Sequence, residues 1–254
     1  MRAVADWTPG AAATRFKLLW PADIILCFRS EILCGEHPHQ HGFSKGELFL
    51  SIKLELPAGD FRAYLFDCDG TVADSMPLHY KAWKEALAEW NCTFPEDVFY
   101  SWGGKPVSKI VADLNEMQGL KMPVEAVAVR KEALYHALLP ELKGIPAVVE
   151  QVEKEYGHKR LAVVSGGRRK SVEGAMTVLG LLDKFDTLVC SEDYTHGKPA
   201  PDCFLLAAER LGVKPSDCLV FEDTQLGIDA ATAAGMKHVR VPQTLSGTGE
   251  TVSA

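Results

Sequence analysis

From Phe61 onward, short apolar runs rich in β-branched and aromatic residues recur at 64–66, 161–164, 187–190, 218–221 and 238–241. Helix-length segments at 168–179, 202–211 and 224–234 separate the later ones. A tight hairpin cannot join parallel strands, so this rhythm calls for helical crossovers of one hand and a sheet covered on both faces. The predicted fold class is α/β, a Rossmann-like parallel sheet.

One connection breaks the rhythm. Between Asp67 and Leu161 the pattern is helical at 77–90, 107–117, 124–139 and 146–156, with Leu78, Ala82, Trp83, Ala86, Leu87 and Trp90 on one face of the first. Such an insert leaves the sheet where its strands end, the edge at which open α/β sheets bind ligands. The expected organisation is a core of residues 59–77 and 146–243 with an inserted α-helical cap subdomain at 78–145, acting as a lid. Residues 1–58 read as an N-terminal extension, expected to be poorly ordered, and 244–254 as a flexible C-terminal tail.

The extension contains a broken apolar stretch at 17–28, alternating histidines at His37, His39 and His41, and a strand-like alternation at 47–56. The histidines could bind a metal, but a site needs further ligands and a short patch of this kind more often holds none. At 47% hydrophobic and 24% charged the chain is globular in composition. Its 34 acidic against 27 basic residues give −7, the wrong sign for coating nucleic acid or an anionic membrane. Seven scattered cysteines without a C-x-x-C pair suggest reduced thiols and a cytoplasmic location. No run reaches the ~18 apolar residues of a membrane helix, and no secretory leader pattern stands at the start.

Four strand ends carry chemistry. The first reads Phe66-Asp67-Cys68-Asp69-Gly70-Thr71. Asp67 and Asp69, two apart, point to one side of the chain; the run is either a simple Asp/Gly turn or a site for a hard cation such as Mg²⁺. Glu222 and Asp223 end another strand ahead of Thr224 and Gly227; Asp223 alone could be a helix cap, but carboxylates from two strand ends at one edge repel unless a cation joins them. Ser165-Gly166-Gly167 offers a hydroxyl and open backbone amides before a helix, suited to an anion or merely to a turn. Lys198 stands between Gly197 and Pro199, where it could face a phosphate.

As an ordered set these segments resemble the four motifs of the haloacid dehalogenase (HAD) superfamily, from about Phe61 to Pro242. The insert is similar to the cap of its β-phosphoglucomutase-like branch. The resemblance implies Asp67 as nucleophile, Asp69 as general acid and base, and Mg²⁺ held by Asp67, the Asp69 carbonyl, Glu222 and Asp223. Lys198 would balance charge, while Thr71, Ser165 and Gly166 would donate to the transferring oxygens. Substrate contacts from the cap would come from His79, Trp83, Lys105 and Lys131, although the spacing of His79 and Trp83 equally suits helix packing and Lys131 a solvated face.

The function so implied is a Mg²⁺-dependent phosphatase that hydrolyses a small sugar or polyol phosphate through an aspartyl-phosphate. The alternative is a phosphohexomutase of the β-phosphoglucomutase type; a catalytically silent binding protein would not need Asp67, Asp69, Lys198 and Asp223 together. The expected partner is a small phosphorylated metabolite, with neither nucleic acid nor membrane; a monomer is compatible with the sequence, which leaves the oligomeric state open.

Overall fold

The computed structural model of the chain describes residues 54–244 and 251–252. Among these, β1 (Ala63–Phe66), β2 (Arg160–Val164), β3 (Thr187–Val189), β4 (Cys218–Glu222) and β5 (Lys237–Arg240) form one parallel sheet in the order β3-β2-β1-β4-β5. Each strand sits within a residue or two of its predicted run. Residues 54–56 are outside any strand, while the rest of the alternating 47–56 segment and the histidine patch lie outside the described residues. Where a tail was expected, Thr244 and Thr251–Val252 belong to a short antiparallel pair.

Alternation along β1 divides the core. Tyr64 and Phe66 face α5 (Pro146–Glu155) and α6 (Arg169–Val178), while Ala63 and Leu65 face α7 (Asp202–Leu211) and α8 (Gln225–Ala233). Phe66 is fully buried and stacks on Phe221 of β4, ring centroids 4.5 Å apart. Truncating so enclosed a ring costs about 3–5 kcal/mol.

The insertion contains α1 (Met76–Ala88), α2 (Glu96–Ser101), α3 (Val107–Gln118) and α4 (Val124–Leu138). Proline fixes their starts: Pro77 lies in the first turn of α1, and Pro95, Pro106 and Pro123 immediately precede the other three. Trp83, Leu87, Phe94, Phe99, Ile110, Val111, Leu114 and Val127 give these helices a hydrophobic cluster of their own. The lower ends of α1 and α4 instead join the sheet's cluster through Leu78, Ala82 and Tyr135. The chain leaves at Ala73 and returns at Gly144 side by side, with Asp74 N–H donating to Lys143 O at 2.9 Å and Ile145 N–H to Val72 O at 2.9 Å. No helix among the described residues is long and apolar enough to cross a membrane.

Candidate active site

The sheet order reverses direction between β1 and β4, and their carboxyl ends carry the acids. Asp67, Glu222 and Asp223 are buried, and one oxygen from each lies within 4.8 Å of the others. Gly70 makes the approach possible: its φ is +82°, and a Cβ there would stand 2.4 Å from Asp223 Oδ2. Gly227 does the same beneath Glu222, and Thr224 accepts its amide at 3.1 Å as the N-cap of α8.

Lys198 Nζ enters this cluster, donating to Asp67 Oδ1 at 2.6 Å and Glu222 Oε1 at 2.7 Å. Burial works against its charge, but Asp67 and Glu222 outweigh it and hold the ammonium above the usual lysine range. Asp67 and Glu222 share that ammonium, with Asp223 beside them. Burial therefore pushes the Asp67 carboxyl well up, Lys198 opposes, and Glu222 and Asp223 push it further. The three side chains offer carboxylate oxygen alone, which fits a hard divalent cation.

Asp69 belongs to a different set of partners. Its Oδ1 accepts from Ser75 Oγ at 2.6 Å and lies 3.2 Å from His79 Nε2. Burial pushes its carboxyl up, but His79, Ser75 and Lys131 prevail and hold it down at about 2. Lys131 Nζ is 2.9 Å from His79 Nδ1, and the Tyr135 ring stacks on His79 at 3.8 Å.

Ser165 Oγ accepts the Gly167 amide at 2.9 Å, a bond that leaves the hydroxyl hydrogen for another acceptor, and the space above Gly166 is open. Thr71 departs from its expected place as a phosphate donor. Its hydroxyl donates to Asp223 Oδ1 at 3.0 Å and its amide to Cys68 O at 3.4 Å, so it orients a carboxylate from below the site.

A cavity of 890 Å³ runs from Asp67, Asp69, Ser165 and Lys198 up to His79, Trp83, Lys105 and Lys131 of the insertion. Trp83 is only 2% exposed and stands edge-on to Phe94, so it serves mainly as packing. Lys105 is tied to Asp113 at 2.7 Å and lies over the Trp102 ring. Lys131 is buried, not on a solvated face. Sequence reasoning did not single out Ser75 or Tyr135, although Tyr135 stands one helical turn beyond Lys131. A second cavity of 620 Å³, at the opposite end of the sheet, holds none of these residues; of the bases that line it, Arg160 is paired with Asp186 and Lys184 with Glu153.

Residues 61–235 match the model of the haloacid dehalogenase-like hydrolases. The chain belongs to that family. Fructose-1-phosphate phosphatase YqaB of Escherichia coli (strain K12) is 37% identical over 182 residues, spanning 71% of this chain and 96% of that protein. The phosphorylated carbohydrates phosphatase of Thermotoga maritima is 29% identical over 70% of this chain and 83% of its own length. Among solved structures, β-phosphoglucomutase from Clostridium difficile superposes with a TM-score of 0.61 at 26% identity, covering 70% of this chain and 83% of that one.

Proposed function

We propose that the protein is a phosphatase of small sugar or polyol phosphates that works through an aspartyl-phosphate on Asp67, with Mg²⁺ as its cation. The carrying observation is the separation of two carboxylates at one sheet edge: Asp67 is gripped by Lys198, and Asp69 by Ser75 and His79. Relatives named for fructose 1-phosphate and for phosphorylated carbohydrates support the substrate class.

Asp67, Glu222, Asp223 and the carbonyl of Asp69 would hold the cation, which supplies charge neutralisation for the phosphoryl group. Asp67 attacks phosphorus in line while the ester oxygen departs. Asp69 gives that oxygen its proton, then takes one from the water that releases phosphate. In the substrate-free protein Asp69 is ionised; an arriving phosphate dianion raises its affinity for a proton, which favours the donor form. Ser165, the Gly166 amide and Lys198 bind the transferring oxygens. The insertion, as a lid, excludes water and selects the organic half, with His79 and Lys131 acting through Asp69 and Lys105 lining the far wall. Cys68, Cys190, Cys203 and Cys218 are free and buried, in keeping with a reducing cytoplasm.

The experiment is a panel of sugar phosphates with Mg²⁺ or EDTA, following phosphate release and hexose-phosphate isomerisation. Release that needs the cation and falls below about a thousandth in Asp67→Asn meets the expectation. A second reading, the phosphohexomutase, is favoured by the likeness to β-phosphoglucomutase and by Lys131 at the cavity. Interconversion of glucose phosphates without net phosphate release would establish it instead.

A further inference from the structure

Helix α4 carries two polar stripes, each of residues four apart. Lys131 and Tyr135 flank the His79 ring. Glu132 and His136 turn to the core and meet the hydroxyl of Ser171 in the first turn of α6. Ser171 is 8% exposed, and its single hydroxyl hydrogen goes to Glu132 Oε1 in a short bond. His136 Nε2, 2.9 Å from the same oxygen, is therefore the donor there. The other Glu132 oxygen lies 3.4 Å from Lys131 Nζ. A continuous polar path thus leads from α6 through Glu132, Lys131 and His79 to Asp69.

Apolar contacts between helices tolerate small rotations and slides; a hydroxyl bonded on both sides does not. His79 on α1 and Lys131 on α4 belong to the same packed insertion, so a shift of α4 large enough to break the Ser171 bonds moves that pair relative to Asp69, which follows β1. Burial pushes the Glu132 carboxyl up, yet Lys131 and Ser171 hold it low, so it stays a carboxylate beside the buried ammonium.

We propose that Ser171 is a positioning residue: by fixing Glu132 and His136 across the junction of α4 and α6, it sets the His79–Lys131 pair against Asp69 and so aims Asp69 at the departing ester oxygen. This rests on the reading of Asp69 as proton donor. In that step the Asp67 oxygen bonds to phosphorus, the ester P–O bond breaks with its electron pair going to the alkoxide, and the Asp69 proton passes to that alkoxide.

Leaving-group dependence separates positioning from a structural role. Fructose 1-phosphate releases an alkoxide that needs the proton, whereas p-nitrophenyl phosphate releases a phenolate that does not. With Mg²⁺ present, Ser171→Ala is expected to lower kcat on fructose 1-phosphate about tenfold or more, with KM little changed and p-nitrophenyl phosphate turnover within about twofold. Glu132→Gln should show the same selective loss, and Ser171→Thr should restore activity. Equal losses on both esters, or none, would overturn the proposal. Wild-type protein that cleaves p-nitrophenyl phosphate but no sugar phosphate would overturn the substrate reading and this proposal with it, a result recognisable before any substitution is made.

Discussion

Lys198 and Asp67 form a buried pair, Nζ to Oδ1 at 2.6 Å, within a cluster that has more negative charge than the lysine can balance. Removing one partner of such a pair leaves an uncompensated buried charge, at a cost of about 3–5 kcal/mol. Lys198→Ala is therefore expected to abolish phosphate release and to lower Tm more in EDTA than in saturating Mg²⁺, because the cation then remains as the counter-charge. Thermal unfolding under both conditions measures this. Equal losses in the two would contradict the assignment of the cation to this cluster.

Gly70→Ala introduces a Cβ 2.4 Å from Asp223 Oδ2 at a φ of +82°. The expected result is a folded protein whose Mg²⁺ affinity, measured calorimetrically, is at least about tenfold weaker. Gly180→Ala is the control, since its φ is +67° but nothing lies within 4 Å of the added carbon. It carries backbone strain of about 1–2 kcal/mol and should leave cation binding intact.

Thr71→Val removes the hydroxyl that orients Asp223 while keeping the side chain's shape. The Mg²⁺ concentration for half-maximal activity should rise about tenfold, and KM for the ester at saturating Mg²⁺ should stay unchanged. A rise in KM alone would return Thr71 to the role of phosphate donor.

Asp193 accepts from Arg169 at 2.5 Å, from Arg210 at 3.0 Å and from the Cys190 amide at 2.8 Å. Burial pushes its carboxyl up, but Arg210, the Cys190 amide and Arg169 pull it below the ordinary value of 3.8. A carboxyl depressed in the folded state stabilises above its unfolded pKa, and that contribution is lost as pH falls through the folded one. Asp193→Asn should thus cost about 1–2 kcal/mol at neutral pH, and the gap from wild type should close as pH drops below 3.8. Denaturant melts across that range read the difference; a gap that persists in acid would show that the loss is not electrostatic.

The strands and most helices were legible because each buries a continuous run or a periodic face that no other arrangement would satisfy. Helix α2 was not: Glu96–Ser101 is too short for periodicity, and Phe99 finds its place only in the insertion's own cluster. Asp67, Asp69, Glu222 and Asp223 could be grouped from the sequence because polar types follow apolar runs at strand ends, and Lys198 because Gly197 and Pro199 hold it ahead of a helix; the structure brings Lys198 against Asp67 and Glu222. The direction of the Thr71 hydroxyl was not, since a sequence shows that a donor exists but not which acceptor it meets. Ser171 meets Glu132 and His136 only through the docking of α4 on α6, and nothing local to any of the three announces it.

The central place of β1 also has a consequence for biosynthesis. Phe66 pairs with Val163 on one side and Phe221 on the other, so both neighbours of the strand that leads to Asp67 are made after it. A nascent chain holds this strand unfinished until the ribosome has passed Glu222, and the loops to be closed are long. Meanwhile the insertion's own cluster lies within α1–α4 and is synthesised early. The insertion's cluster can therefore form before the sheet is complete, and the acidic edge exists only once the second acidic strand end has emerged.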